Sequence, residues 1–297
     1  MAKSVIILTG CDANFYPYME EAIKSLLALH LEDHADIGVL DLGLAPDQIS
    51  TLRTLGATIR QPTWSLNVPQ EQRKSYMVGL VARTTLRDDF PGYQVYLWFD
   101  ADAWAQTPEF FTKLVAGARA NGVAIIRENG TGYHRDWLYN RWWYGHMIKS
   151  YGIINGLRVA YKPAINIGIV ALKDDAPHWQ AWRTDYQHMI DRRGKINLDQ
   201  HAFNAMIELR GLTSHQVPPS CNWICTLSAP YWNPQNNQFC EPNMTAKPIS
   251  VLHLAGPHKR RDYRLHVTTG GEITTPVTYE AFLALKNASP LPTTSVS

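Results

Sequence analysis

The sequence predicts an α/β protein. One mostly parallel sheet is covered by helices on both faces, and a smaller lobe is built from the later part of the chain. Two observations carry this. Strand-like and helix-like runs alternate through the first half, which requires crossover connections between parallel strands. The strand-like runs "SVIILTG" and "YQVYLWFD" are also almost continuously apolar, a pattern that belongs to strands buried on both faces.

The elements follow in order. "SVIILTG" is strand 1. "YPYMEEAIKSLLALHL" spaces Met19, Ala22, Ile23, Leu26, Leu27 and Leu29 at helical period. "DIGVLDLG" is a second strand, and "APDQISTLRTLG" is a helix opened by Pro46-Asp47 and stopped by Gly56. "ATIRQP" gives a short third strand, residues 70–88 a helix, and "YQVYLWFD" the fourth strand. "VAIIREN" and "AINIGIVALK" are further strands, with helices at 178–192 and 198–210 and a strand in "ISVLHLAG". From about residue 212 the chain is rich in Pro, Asn and aromatics, and "NASPLPTTSVS" has the composition of a frayed tail. A single domain over 1–287 with a tail at 288–297 accounts for this organisation.

Composition narrows the function. The 297 residues are 45% hydrophobic and 18% charged, with a net charge of +2. A bulk nucleic-acid binder would carry far more basic excess. "MAKSVIILTG" has too short an apolar run for a signal peptide, and no run approaches the ~20 apolar residues of a membrane span. A cytoplasmic protein is expected. Cys11, Cys221, Cys225 and Cys240 are too few for a disulfide framework. Cys221-x3-Cys225 with Cys240 could hold a zinc but lacks a fourth ligand at conventional spacing, so free thiols are expected.

The chemistry centres on "WFDADAW", where the fourth strand ends in Asp100 and, after Ala101, Asp102. Two like charges this close raise each other's pKa unless something positive neutralises them. A divalent cation does this. Mg²⁺ and Mn²⁺ prefer oxygen ligands, and Mg²⁺ takes one or two carboxylates with the rest from water and substrate phosphates. A diphosphate bridged by the metal is the matching substrate. The pair also suits a plain turn, with Thr107-Pro108-Glu109 starting a helix just beyond. An Asp-x-Asp phosphatase would place such a pair after the first strand, whereas here it follows the fourth.

Five separated segments, "TGCDANFYPYMEEAIKSLL", "FDADAW", "INIGIVALK", "NLDQHAFN" and "LHLAGPHK", together resemble the family 8 glycosyltransferases, retaining enzymes of the GT-A fold that use nucleotide sugars. The resemblance runs from about residue 4 to 265 and is patchy between 128 and 160. It implies a metal held by Asp100, Asp102 and His253. Thr9, Gly10 and Asp12 would contact the nucleoside, with Phe15 or Tyr16 stacked on uracil. Arg83 would touch donor sugar and metal-ligand carboxylate, with Arg87 and Lys74 as rival candidates. Asn166 and Gly168 would make room for the sugar, and Gly256 would let the backbone approach the phosphates. Asp199 would bind donor hydroxyls and Gln200 would lie near the anomeric carbon on the acceptor side. Lys259 would be a point charge on the departing diphosphate. The family places another acid on the strand after Asp-x-Asp. Here that is Glu128, or Asp136 further on, so the donor sugar is the least determined part.

Several of these residues also have plain structural roles. Asp12 suits an Asx-turn, Asp199 a first helical turn behind Asn197 as N-cap, and Arg260 and Arg261 a solvated loop, an acidic acceptor or a membrane surface. On the strand reading, Asn166 and Gly168 share one face at period two. The expected reaction moves a hexose from a UDP-sugar to a hydroxyl of a glycan or glycolipid, with retention and with Mn²⁺ or Mg²⁺. Residues 1–128 would be the nucleotide half and 129–287 the donor-sugar and acceptor half. "YHRDWLYNRWWYGH" and "CNWICTLSAPYWNPQNNQF" are either glycan-stacking walls or packed core. The rivals are a nucleotide-sugar-binding protein without catalysis and a sugar nucleotidyltransferase. The latter should carry a Gly-rich basic loop after strand 1, which "TGCDANFYP" does not.

Overall fold

The structure, a computed structural model, describes residues 3–243 and 245–288. In chain order the first half gives β1 (Val5–Cys11), α1 (Tyr16–Leu27), β2 (Asp36–Asp41), α2 (Pro46–Thr54), β3 (Thr58–Arg60), α3 (Val78–Ala82), α4 (Leu86–Asp89), β4 (Val95–Phe99), β5 (Ala103–Ala105), α5 (Glu109–Asn121) and β6 (Val123–Ile126). Then come α6 (Trp137–Ala160), β7 (Ile169–Lys173), α7 (His178–Arg193), α8 (Asp199–Leu209) and β8 (His215–Val217). The last part holds β9 (Trp223–Ile224), β10 (Tyr231–Asn233), β11 (Gln238–Cys240), β12 (Val251–His253), β13 (Tyr263–His266), β14 (Glu272–Thr275) and α9 (Tyr279–Ala288).

The main sheet has the order β3-β2-β1-β4-β7-β6-β8. It is mostly parallel, with β7 antiparallel to both β4 and β6. Helices cover both faces, and the apolar runs explain why. Along β1 and β4, Ile6, Leu8, Tyr96 and Trp98 face one core with residues of α3, α7 and α8. Their neighbours Val5, Ile7, Val95, Leu97 and Phe99 face a second core with α1 and α5. Period two in a strand apolar at every position fills both layers.

A smaller lobe is built on the sheet β5-β12-β9. Its core contains Trp104, Trp223, Trp232, Phe239 and Phe282. Trp223, Trp232 and Phe239 of the 221–239 segment are therefore packed core, while Tyr231 is only part-buried and lines a surface cleft. Those of 133–146 divide: Trp143 is buried, while Trp137 and Trp142 are exposed. All four cysteines are free and buried. No helix of the described residues is long and apolar enough to cross a membrane.

Three expectations need correction. The helix expected over 70–88 is broken into 3₁₀ turns at Gln70–Gln72 and Ser75–Met77 and the short helices α3 and α4. The Thr84 and Thr85 hydroxyls donate back to the carbonyls of Val81 and Ala82, at 2.8 and 3.2 Å, which competes with helix continuation. Asn166 and Gly168 precede β7 rather than alternating within it. The Asn166 Oδ1 accepts from the Gly168 N–H at 2.9 Å, a local turn that delays the ladder. The N-cap of α8 is Leu198, not Asn197, and it makes no side-chain capping bond. Of the expected tail, Ala288 ends α9 and 289–297 lie outside the described residues.

Candidate active site

The chain runs outward from β1 through β2 to β3 and then returns to place β4 on the other side of β1. The crevice between the carboxyl ends of β1 and β4 is the switch point where open α/β sheets bind ligands. Asp12 leaves one strand there and Asp100 the other.

Strand register brings the distant residues together. Phe99 lies opposite Ile169, and the Asp100 N–H donates to the Gly168 carbonyl at 2.7 Å. On the other side, β12 pairs with β5 so that His253 sits opposite Ala103, beside Asp102. The result is a triad. Asp100, Asp102 and His253 each offer a ligand atom, all within 4.8 Å of one another. His253 Nε2 is 3.7 Å from Asp100 Oδ2 and 3.4 Å from Asp102 Oδ1. A Cβ on Gly168 would lie against His253 and only 2.8 Å from Asp100 Oδ2, so a side chain at 168 would fill the space these ligands face.

A polar chain fixes how His253 presents itself. The Glu128 carboxylate can only accept, so the Asn166 amide donates to it, at 3.2 Å. Asn166 Oδ1 then accepts from the Asn222 amide at 3.0 Å. That leaves Asn222 Oδ1 facing His253 Nδ1 at 2.9 Å, which must carry the proton. In neutral His253 the Nε2 lone pair therefore points to the carboxylates. Two oxygens and one imidazole nitrogen suit Mn²⁺, so the residues present fit the expected ion.

The acids are flanked by cations. Lys259 is paired with Asp102 and Arg83 with Asp199, while Arg83 also lies 3.7 Å from Asp100. Burial works against the Asp102 carboxylate, but His253 in its protonated form, which the two carboxylates favour, and Lys259 outweigh it and hold its pKa well below the usual range. Burial likewise opposes the Arg83 charge, and Asp199 and Asp100 restore it, so the guanidinium stays protonated. The Arg83 guanidinium also stacks over Trp98 at 5.5 Å, and the Trp98 indole donates to Asp100 at 2.6 Å.

Most of the expected residues meet here. Arg83, Asp100, Asp102, Asn166, Gly168, Asp199, Gln200, His253 and Gly256 line one cleft of about 270 Å³. Gly256 has φ +101°, a conformation that favours glycine. Ala101 is buried in the turn between the two acids. A neighbouring cleft of about 360 Å³ is lined by Gly10, Asp12, Phe15 and Tyr76 among others. Lys259 spans the two, its ammonium 5.4 Å from the Phe15 ring centre while it bonds Asp102.

Other candidates stand elsewhere. Tyr16 packs against the cluster holding Cys11 and Met19 and does not line the cleft, whereas Tyr76 does. Thr9 is buried outside the lining. Glu128 stands behind Asn166, held by Arg135 and the Tyr139 hydroxyl at 3.0 Å each. Asp136 caps α6 through the Tyr139 N–H at 2.7 Å. Arg87 donates to the Asp174 carbonyl and Lys74 is exposed, so of the three basic candidates the cleft contains Arg83. Arg260 pairs with Glu21 and stacks on Tyr18, and Arg261 stacks on Tyr263. Asn222 was missed, because nothing in "CNWIC" marks it; its role comes from β9 lying beside β12.

Comparison with solved structures finds the same architecture. The galactosyltransferase LgtC, in complex with donor and acceptor sugar analogues, is similar over 97% of both chains, at 18% identity and a TM-score of 0.56. The bifunctional glycosyltransferase WbbM is similar over 98% of this chain and 50% of its own, at 14% identity and TM-score 0.59. GlyE of Streptococcus pneumoniae TIGR4 is similar over 99% and 66%, at 13% identity and TM-score 0.55. The chain has the GT-A fold. No protein-family profile and no curated protein sequence matches it. Within the GT-A fold the cleft lies beyond the carboxyl ends of β1 and β4, with the smaller lobe supplying His253 from β12.

Proposed function

We propose that the protein is a metal-dependent retaining glycosyltransferase that moves a hexose from a UDP-sugar to a hydroxyl of a glycan or glycolipid. The observation that carries this is the convergence of Asp100, Asp102 and His253 in one cleft with Arg83, Asp199, Gln200 and Lys259 close by. The likeness to glycosyltransferases supports it, since the LgtC structure holds donor and acceptor sugar analogues.

Asp100, Asp102 and His253 would hold Mn²⁺ or Mg²⁺, whose charge would neutralise the diphosphate as the bond to the sugar breaks. The residues do the rest. Phe15 and Tyr76 border the cleft expected to take uracil, with Asp12 at its edge. Lys259 lies between that cleft and Asp102, where its charge can follow the departing phosphates; losing one such donor typically costs on the order of 10²–10³ in rate. Gly256 keeps the backbone free of a side chain there. Asn166 and Asp199 bond sugar hydroxyls, and Arg83 keeps Asp199 oriented.

Gln200 is a poor nucleophile, and Asp199 is engaged by Arg83. Departure and attack on the same face of the sugar account for retention. The bond from the anomeric carbon to the phosphate oxygen breaks, the acceptor oxygen bonds to that carbon, and its proton passes to the departing phosphate. A glycosyl-Asp199 adduct trapped in a mass spectrum would overturn this route.

The test is incubation with a panel of nucleotide sugars and Mn²⁺, following free UDP with and without hydroxyl acceptors. One donor should yield UDP and a product with the donor's anomeric configuration. Mn²⁺-dependent UDP binding with no UDP release from any donor would instead identify a binding protein. Release of pyrophosphate from a nucleoside triphosphate and a sugar phosphate would identify a nucleotidyltransferase.

A further inference from the structure

Ten large hydrophobic side chains are exposed among the described residues, and seven of them lie between 137 and 161. Trp137 is 65% exposed, Ile153 69%, and Ile154 and Tyr161 83% each. Isolated exposed hydrophobics are ordinary, but such a concentration marks a contact surface.

Local geometry gathers them. α6 is broken at Gly152, whose φ of 78° and ψ of 174° are not helical. A Cβ on Gly156 would lie 2.7 Å from the Ile148 backbone nitrogen. The segment after the break therefore folds back onto the segment before it, and the two glycines make a tight helical hairpin. Ile153, Ile154, Leu157 and Tyr161 follow the i, i+1, i+4, i+8 spacing of one helical face on the second limb. Trp137, Leu138 and Trp142 stand on the first.

Within the hairpin the charge has one sign, although the exposed Asp136 caps its start. From Trp137 to Lys162 the sequence contains no Asp or Glu, but it carries Arg141, Lys149, Arg158 and Lys162. Lys162 pairs with Glu208. Arg141, Lys149 and Arg158 make no ion pair among the described residues. Arg193 from the end of α7 joins Arg141 and Lys149 around a groove floored by Trp142. A second copy of the chain would set this basic face against itself. A nucleic acid would meet the arginines but gain nothing from Ile153 and Ile154. Indole, aliphatic and basic side chains together match the interface of a bilayer with anionic headgroups.

We propose that the 137–161 hairpin docks the protein on the surface of a membrane containing anionic lipid. Its apolar side chains enter the interface, and its arginines and lysines contact the headgroups. It lies on the bilayer and does not span it.

The test is co-sedimentation of the full chain with vesicles of phosphatidylcholine plus phosphatidylglycerol, against phosphatidylcholine alone, without nucleotide sugar. The readout is therefore independent of transfer. Binding should favour the anionic vesicles. The doubly substituted I153S/I154S protein should bind ~10-fold or more weakly, and K149E/R158E severalfold more weakly, as should raised salt. Circular dichroism and melting of these surface variants should match the parent. Absence of binding to anionic vesicles, equal binding to both vesicle types, or undiminished binding by both variants would overturn the proposal. So would a concentration-dependent dimer abolished by I153S/I154S in a protein that ignores lipid.

Discussion

Replacing Gly168 by alanine tests whether the cleft is shaped around an ion. The added methyl would sit against His253, 2.8 Å from Asp100 Oδ2 and 2.9 Å from Asn166 Oδ1. Non-bonded carbon contacts are comfortable at ~3.5 Å or more, so the two oxygens must retreat by roughly 0.6–0.7 Å and the His253 ring, which lies nearer, by more. None has room. His253 is 3% exposed, Asp100 is tied to the Trp98 indole, and Asn166 is bonded on both sides by Glu128 and Asn222. Overpacking of this kind costs about 1–3 kcal/mol in stability. Spreading ligands beyond about 0.5 Å of their working positions removes the geometry an ion needs, so Mn²⁺ affinity should fall by roughly 10–100-fold, as for lost supporting contacts. Titration calorimetry with Mn²⁺ and UDP measures the affinity, and thermal melting measures the stability. Parental Mn²⁺ affinity in G168A would refute the claim that the open space at 168 belongs to the ion.

Three further outcomes follow from the same geometry. N222A leaves His253 Nδ1 without its acceptor and should weaken Mn²⁺ binding by about 10–100-fold, while N222D, which keeps an acceptor oxygen, should lose less; calorimetry separates the two. R83M strands the buried Asp199 carboxylate and should cost about 3–5 kcal/mol in urea unfolding, with R83M/D199N recovering part of it; a double variant no more stable than R83M would contradict the pairing. Burial, reinforced by His146 and Arg193, pulls the His201 pKa down from 6.5 to about 3. The folded state therefore keeps His201 neutral where the unfolded chain binds a proton. Its stabilising contribution is fully present above pH 6.5 and is lost as pH falls toward 3, by at most about 1.4 kcal/mol per pH unit. H201F should flatten the decline in melting temperature between pH 7 and pH 5, and an unchanged slope would refute the assignment.

Much of this was legible in the sequence, for identifiable reasons. The central strands declare themselves because β1 and β4 are apolar at every position, and only two-sided burial tolerates that. Arg83 comes from the resemblance, with Arg87 and Lys74 as rivals, and it is held by Asp199 and Asp100. The acid pair after β4 was visible as an energetic anomaly. Register was not visible. Asn222 matters because β9 lies along β12, and no local pattern encodes that pairing. Glu128, or Asp136 further on, is a sugar-binding acid only by the resemblance, which places an acid on the strand after Asp-x-Asp. In space, Asn166 stands between Glu128 and the cleft. Within the helix expected over 70–88, the break between α3 and α4 falls where the Thr84 and Thr85 hydroxyls bond back to helix-end carbonyls. Phe15, the residue before α1, lines the cleft beside Asp12 and Tyr16 does not, a difference of one residue that the sequence leaves open.

Crystals soaked with Mn²⁺ and UDP, measured at the manganese absorption edge, address the central claim most directly. One anomalous peak should lie roughly 2.0–2.3 Å from a carboxylate oxygen of Asp100, one of Asp102 and Nε2 of His253, with diphosphate oxygens completing its shell. Bound UDP with no peak among those three side chains, or a peak ligated by other residues, would contradict it.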